Sequence, residues 1–224
     1  MTPPSTSEGF AEIQISLNNQ EYASSGVRFE YQSAVHVNRL VPSFGSLNGN
    51  TRVKVSGSGF VDSTSLSCRF GVIRSAAQRF LSSTQIECIS PSSTVGSVEV
   101  YVANNAVDFG AEHVRFEYHE ALGVQSLEPS TGVVRGSTAV TFTGIHFRRA
   151  PTFGCRFGSV VVQAEWLSDG RGFCSTPSAP RFGLYQFEVT SNGIDFSDSD
   201  LHFLFYEPVI ITSLHPSIAP ASSG

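Results

Sequence analysis

Charge, lysine and long apolar segments are all scarce in this sequence of 224 residues. Charged residues make up 15% of the chain, against roughly 25% in an average soluble domain. Lys54 is the only lysine, and the net charge of −5 disfavours a nucleic-acid partner, because nucleic-acid modules carry a basic face. No run approaches the ~20 apolar residues that span a bilayer, so we expect no direct membrane insertion of this segment. Hydrophobic residues nevertheless reach 40%, which is enough to build cores.

The sequence also lacks the motifs that carry enzymatic or metal chemistry. It has no His-x-x-x-His pair, no Gly-x-Ser-x-Gly nucleophile turn, no phosphate-binding Gly-Lys-Ser/Thr loop and no Cys-x-x-Cys zinc motif. We therefore predict a protein that is not an enzyme, with no catalytic residue, no cofactor and no metal ion. The acidic group Asp195, Asp198 and Asp200 is interpreted as a solvated turn, with an oxygen-lined calcium loop as the alternative.

An internal repeat is the strongest feature of the chain. Pro42, Pro129 and Pro216 are each 87 residues apart, and each lies in a Leu-x-Pro-Ser sequence. The same spacing relates Cys68–Gly71 to Cys155–Gly158, both of which read Cys-Arg-Phe-Gly. We predict two complete repeats, here called repeat A (35–121) and repeat B (122–208). By the same register, 1–34 is the C-terminal part of a truncated repeat and 209–224 the start of a further one, so we expect a piece of a longer protein.

Each repeat alternates apolar and polar residues over short segments bounded by turn residues. Arg52–Ser56, Ala139–Thr143 and Ser97–Val102 all follow this period of two, which is typical of strands with one face in water. No stretch shows a sustained helical period. About seven short strands in each repeat predict an all-β fold of tandem immunoglobulin-like β-sandwiches.

Two cysteines lie in each complete repeat. Cys68 and Cys88 are 20 residues apart, and Cys155 and Cys174 are 19 apart. Of the three connectivities that four cysteines allow, we predict one disulfide within each repeat, with buried free thiols as the alternative. Disulfides imply an oxidising compartment, since cytosolic thiols are kept reduced.

Four motifs recur along each repeat. In repeat A they are Pro42–Gly45, Gly57–Phe60, Cys68–Gly71 and Cys88–Pro91, and the pattern returns in repeat B from Pro129 to Tyr206. With these motifs the repeats resemble IPT/TIG domains of the plexin and fibrocystin type. The resemblance implies an early-set immunoglobulin-like sandwich, with 35–121 and 122–208 as IPT/TIG domains. It also implies tandem arrays in large cell-surface proteins, although related domains occur in Rel-type transcription factors and beside starch-active catalytic domains. Fold alone leaves function open.

From these observations we predict a non-catalytic segment of an extracellular or cell-surface array. It would act as a semi-rigid spacer and protein-interaction module in an adhesion protein or receptor ectodomain. Its expected partners are proteins, together with the neighbouring repeats of the parent chain. The alternatives are ancillary domains of a secreted carbohydrate-active enzyme and, with less support, a DNA-binding IPT domain.

Aromatic residues carry the last set of expectations. Eight phenylalanines at matching positions are predicted to fill the two cores: Phe60, Phe70, Phe109, Phe116, Phe147, Phe157, Phe196 and Phe203. Five aromatic residues of repeat B have no aromatic counterpart in repeat A, and they are core substitutions, aromatic filling of the contact between repeats, or exposed interaction anchors: Phe153, Trp166, Phe173, Phe182 and Tyr185.

Overall fold

The computed structural model of the protein describes residues 8–218. Within that range the chain forms nineteen strands and no helix, which confirms the prediction of an all-β fold. The chain divides into two compact units between Glu120 and Ala121. No helix long and apolar enough to cross a membrane occurs in the part of the chain that the structure describes.

The first unit begins with a hairpin of two antiparallel strands, β1 (Gly9–Ile15) and β2 (Ala23–Tyr31). Its apolar side chains are largely open to solvent, and Ile15 is 66% exposed. The corresponding residue of repeat A, Val102, is fully buried. A hairpin alone has no second layer to cover its apolar face, which explains the difference.

Repeat A follows the hairpin and folds as a sandwich of eight strands. These strands are β3 (His36–Val41), β4 (Phe44–Ser46), β5 (Arg52–Ser58), β6 (Ser67–Phe70), β7 (Ile73–Ser82), β8 (Gln85–Ile89), β9 (Gly96–Ala103) and β10 (Val114–His119). Their order is β3-β5-β8-β7-β6-β9-β10-β4. The long β7 pairs with β6 through its first half and with β8 through its second, so it passes from one layer to the other.

Repeat B lies in the second unit and has the same plan with one difference. Its strands are β11 (Gly123–Glu128), β12 (Thr131–Val133), β13 (Ala139–Ile145), β14 (Gly154–Phe157), β15 (Val160–Gln163), β16 (Glu165–Ser168), β17 (Arg171–Ser175), β18 (Gly183–Thr190) and β19 (His202–Tyr206). They form two sheets, β11-β13-β17-β16 and β12-β19-β18-β14-β15. The counterpart of β7 is therefore divided into β15 and β16, which separates the two layers.

The alternating segments place their apolar residues between the layers, as predicted. In β5, Val53 and Val55 are fully buried while Arg52 and Lys54 face solvent. The core of repeat B is richer in phenylalanine: Phe142 and Phe187 stand where repeat A has Val55 and Val100. Burying a side chain of this size stabilises the fold by about 1.5–3 kcal/mol.

A disulfide joins the two layers of each sandwich. Cys68 on β6 is bonded to Cys88 on β8, with 6.4 Å between their Cα atoms. Cys155 on β14 is bonded to Cys174 on β17, with 6.6 Å between their Cα atoms. All four side chains are buried in the cores. Each bond therefore ties a strand of one layer to a strand of the other.

Two glycines make the tight turns that end β6 and β14. Gly71 has a φ of 59° and Gly158 a φ of 61°, which is the left-handed region that residues with a Cβ rarely adopt. This explains why Gly follows Cys-Arg-Phe in both repeats. The preceding arginines, Arg69 and Arg156, lie on the outer faces of their sheets, because each alternates with two buried neighbours.

Candidate interaction surface

The outer face of the β6-β9-β10 sheet in repeat A carries a stacked arginine. Arg69 lies between two core residues, Cys68 and Phe70, so alternation along β6 points it away from the core. Its guanidinium carbon is 4.5 Å from the centre of the Tyr101 ring and 4.4 Å from the centre of the Phe109 ring. The cation is therefore held between two aromatic rings, an arrangement that stabilises it electrostatically.

The prediction that Phe109 and Phe196 fill the cores was wrong. Both are half-buried on the outer faces, where Phe109 stacks on Arg69 and Phe196 on Arg156. Both lie in the loops that follow β9 and β18, and a loop has no period of two to direct its side chains inward. The other six predicted core phenylalanines are buried.

In repeat B the equivalent arginine has an acidic partner within its own sheet. Arg156 lies 3.8 Å from the centre of the Phe196 ring, and its Nε donates a hydrogen bond of 2.6 Å to Glu188 Oε2. Glu188 is buried, and its oxygen also forms an ion pair with Arg156 Nη2. Hydrogen bonds between a guanidinium and a carboxylate are charge-assisted and are therefore stronger than bonds between neutral groups.

Repeat A has tyrosine where repeat B has that glutamate. Arg69 is the register partner of Tyr101 across β6 and β9, just as Arg156 is the partner of Glu188 across β14 and β18. Tyr101 adds an aromatic ring to the stack but no negative charge. Arg69 Nε is buried and has no hydrogen-bond partner among the described residues.

A small polar network occupies the rest of this face. The Tyr101 hydroxyl donates a hydrogen bond of 2.5 Å to Glu99, and His113 Nε2 lies 3.3 Å from the same carboxylate. The hydrogen bond from Tyr101, followed by the charge of His113, lowers the pKa of Glu99. The same hydrogen bond raises the pKa of Tyr101 above its usual value. Glu99 is thus already supplied with donors.

Repeat B has an apolar patch on the outer face of its β12-β19-β18-β14-β15 sheet. Leu184 is 70% exposed and lies opposite Leu204, with Phe182 and Tyr206 at the same end of the strands. The matching positions of repeat A are Val95, Ser97, Glu117 and His119. Exposed apolar groups of this kind mark surfaces that contact other molecules more often than random surface does.

Most of the aromatic residues peculiar to repeat B serve its core. Phe153 is buried, and Trp166 packs against the core while its Nε1 donates a hydrogen bond of 3.1 Å to the Phe147 carbonyl oxygen. Tyr185 also packs against the core, and Phe173 is half-buried. Only Phe182 of the five is largely exposed, at 65%. Core substitution therefore explains most of this difference.

The acidic residues near the end of repeat B form a hydrogen-bonded turn. Asp195 accepts a bond of 2.8 Å from Asn192 Nδ2, and the backbone amides of Ile194 and Asp195 donate to Asn192 Oδ1. Among the residues that the structure describes, no group of three or more His, Cys, Asp or Glu side chains is placed to hold a metal ion. Neither Asp198 nor Asp200 belongs to such a group.

Sequence reasoning did not identify Arg69 and Arg156 as surface residues of interest. The signal was present in Cys-Arg-Phe-Gly, because a residue between two inward side chains of a strand must face outward. The sequence of the neighbouring strand decides whether a carboxylate reaches each arginine. The path of a loop decides which aromatic ring stacks on it.

A family model described as IPT/TIG domain matches residues 36–118 and 123–205. Plexin-A3 of Rattus norvegicus is 25% identical over 147 residues, which are 64% of this chain and 8% of that protein. Fibrocystin-L of Homo sapiens is 28% identical over 216 residues, which are 92% of this chain and 5% of that protein. The chain thus spans less than a tenth of the length of these curated relatives.

A solved structure shares the fold. The full extracellular region of plexin A4, domains 1 to 10, matches with a TM-score of 0.56 at 20% sequence identity. The match covers 91% of this chain and 19% of that one. At this level of identity the likeness concerns the fold alone.

Proposed function

The chain belongs to the IPT/TIG domain family, and we propose that it is a non-catalytic segment of a receptor ectodomain or other cell-surface protein. In this role it acts as a semi-rigid spacer and as a protein-interaction module. The observation that carries the proposal is the match of two tandem IPT/TIG domains, at residues 36–118 and 123–205, whose relatives include plexin-A3 and fibrocystin-L. The two disulfides support the same location, because such bonds persist in oxidising compartments.

The proposed domains are 35–121 and 122–208, flanked by the partial repeats 1–34 and 209–224. The stretch between β10 and β11 supports a spacer role, since β10 ends at His119 and β11 begins at Gly123. It contains no Gly/Ser run, so it is not a flexible tether. A constant step of 87 residues would repeat the same junction geometry along an array.

Within the first unit, Asn104 links the residue that follows β2 to repeat A. Its Nδ2 donates hydrogen bonds to Gln32 Oε1 at 3.2 Å and to the Gly59 carbonyl at 2.8 Å. Its Oδ1 accepts a bond of 3.1 Å from the Val61 amide. Repeat B has the shorter Ser191 at the equivalent position, which accepts a bond from the Arg148 amide. Asn104 therefore supports a stiff junction between the truncated repeat and the next one.

The two alternative functions have less support. Glycan binding by an ancillary domain calls for a flat exposed row of Trp or Tyr, whereas Trp166 packs against the core. DNA binding calls for a basic face, whereas Glu188 neutralises Arg156, and Glu99 lies opposite Arg115 across β9 and β10.

Peptide mapping of the protein from its native source, with and without reduction, tests the location. We expect the links Cys68–Cys88 and Cys155–Cys174, and surface labelling of intact cells should reach the same protein. Four free thiols in that sample would overturn the extracellular proposal.

Backbone ¹⁵N relaxation of the full chain tests the spacer role separately. A semi-rigid spacer predicts one common rotational correlation time for repeats A and B, and independent tumbling of the two would contradict it. Asn104→Ser, which copies repeat B, should loosen the hairpin relative to repeat A while leaving the core of repeat A unchanged.

A further inference from the structure

We propose that Arg69 is the centre of a carboxylate-binding site on the outer face of repeat A, which takes an Asp or Glu side chain of a protein partner. The proposal deepens the interaction role and rests on it. Among the described residues, the Arg69 side chain forms no ion pair and no hydrogen bond. Its positive charge is held by two aromatic rings only.

Repeat B shows which group this position accepts. There the same arginine of the same Cys-Arg-Phe-Gly sequence, stacked on the equivalent phenylalanine, binds the Glu188 carboxylate through Nε and Nη2. The register of the strands is the same in the two repeats. Replacement of that glutamate by Tyr101 removes the internal carboxylate and keeps the arginine. A carboxylate from outside the repeat then restores the missing charge.

The aromatic stack prepares Arg69 for such a ligand. The rings of Tyr101 and Phe109 lie 4.5 Å and 4.4 Å from the guanidinium carbon, so they restrict the long side chain before any partner arrives. Ring stacking uses the faces of the planar cation, and because Nε is buried, the Nη donors are the ones left for a carboxylate from outside. Less conformational entropy is lost on binding when the group is already restrained.

The surroundings favour an anion from a protein surface. Arg69 lines a shallow depression together with Arg115 and the small residues Gly71 and Ser97. Glu99 lies in the same depression, but Tyr101 and His113 already contact its carboxylate. The depression is open to solvent on a sheet face, which suits a projecting side chain better than a small molecule that needs enclosure.

The experiment follows the arginine Nε–H resonances of the full chain by NMR during titration with acetylated tetraglutamate amide. Tetraglutamine amide is the neutral control. We expect saturable shifts at Arg69 with tetraglutamate only, and no shift at Arg156, whose donors are occupied. No shift at Arg69, or equal shifts at both arginines, would overturn the proposal.

Three variants make the test specific. Tyr101→Glu copies repeat B and should weaken tetraglutamate binding about tenfold, because it supplies an internal carboxylate. Arg69→Gln should abolish the saturable component. Arg79→Gln is the matched control, since it removes the same charge from an exposed residue of β7 and should leave binding unchanged. If Arg69→Gln and Arg79→Gln weakened tetraglutamate binding equally, net charge alone would explain the binding, and the proposed site would be wrong.

A sulfated heparin disaccharide, titrated in parallel, separates an acidic protein from a sulfated glycan. Binding of the disaccharide at Arg69 without binding of tetraglutamate would overturn the assignment to a protein carboxylate. Failure of this site would leave the link pattern of the cysteines and the relaxation data untouched. The two proposals therefore fail through different measurements.

Discussion

Repeats A and B share their turns, disulfides and strand register, yet different groups contact the equivalent arginine in each. Repeat B neutralises Arg156 with Glu188, whereas repeat A encloses Arg69 between Tyr101 and Phe109. Their cores differ as well, because repeat B packs phenylalanine where repeat A packs valine or leucine. Residues common to both repeats thus define the sandwich, and residues that differ define its core packing and its surface chemistry.

The difference between the two cores predicts the largest effect on the free energy of unfolding. Phe142 is fully buried and its ring contacts those of Phe147, Phe153 and Phe187. Phe142→Ala should destabilise repeat B by about 3–5 kcal/mol, since it removes apolar burial and leaves a cavity. Trp166, the only tryptophan, reports unfolding of repeat B by fluorescence in guanidinium chloride.

The equivalent change in repeat A is the control for this prediction. Val55→Ala removes a smaller buried side chain and should leave the Trp166 transition where it is. An unshifted Trp166 transition in Phe142→Ala would contradict the central position of this ring in the core.

Removal of a disulfide should cause the next largest loss of stability, and the loss should be similar in the two repeats. The double variant Cys155→Ala/Cys174→Ala opens a loop of 19 residues and should cost about 3 kcal/mol. The matched pair Cys68→Ala/Cys88→Ala opens a loop of 20 residues and should cost a similar amount. Calorimetric unfolding measures both, and an unchanged transition temperature in either would count against that crosslink.

The arginine comparison is sharpened by removing the acidic partner in repeat B. Glu188→Gln should cost about 1–3 kcal/mol in denaturant unfolding, because a half-buried guanidinium loses its counter-ion. The same variant should give Arg156 the tetraglutamate binding proposed for Arg69. In repeat A, Tyr101→Phe should leave the stability almost unchanged, since the Tyr101 hydroxyl bonds a carboxylate that is open to solvent. Equal losses of stability in Glu188→Gln and Tyr101→Phe would contradict the proposed difference between the two repeats.

The smallest expected effect concerns Tyr118, whose counterpart in repeat B is Phe205. By distance and angle, the buried Tyr118 hydroxyl forms no hydrogen bond with the described residues, and burial raises its pKa to about 12 against a smaller opposing effect of the nearby Ser90 hydroxyl. Unfolded tyrosine ionises near pH 10, so repeat A should lose stability as the pH rises from about 10 toward 12. Tyr118→Phe should remove this loss and be neutral or slightly stabilising at pH 7. Denaturant unfolding at pH 7 and pH 10.5 checks both statements, and an equal alkaline loss in the variant would contradict the role of Tyr118.

Much of the fold was predictable because its signals are local and occur twice. Alternation in segments such as Arg52–Ser56 decides which side chains turn inward, and the spacing of 87 residues shows where each strand recurs. The division of β7 into β15 and β16 was not predictable, since it depends on how a strand edge passes between two layers. The candidate site was not predicted at all, because its parts come from a strand, its neighbour and a loop.

By itself, the sequence determined the repeat, the all-β sandwich and the outward position of Arg69 and Arg156 between two core residues. These follow from periodicity and turn chemistry, which act over a few neighbouring residues. Only the tertiary structure decided that Phe109 and Phe196 cover those arginines, and that Tyr101 and Glu188 lie opposite them. Loop paths and strand register bring together residues about 30 to 40 positions apart, and no local pattern encodes that contact.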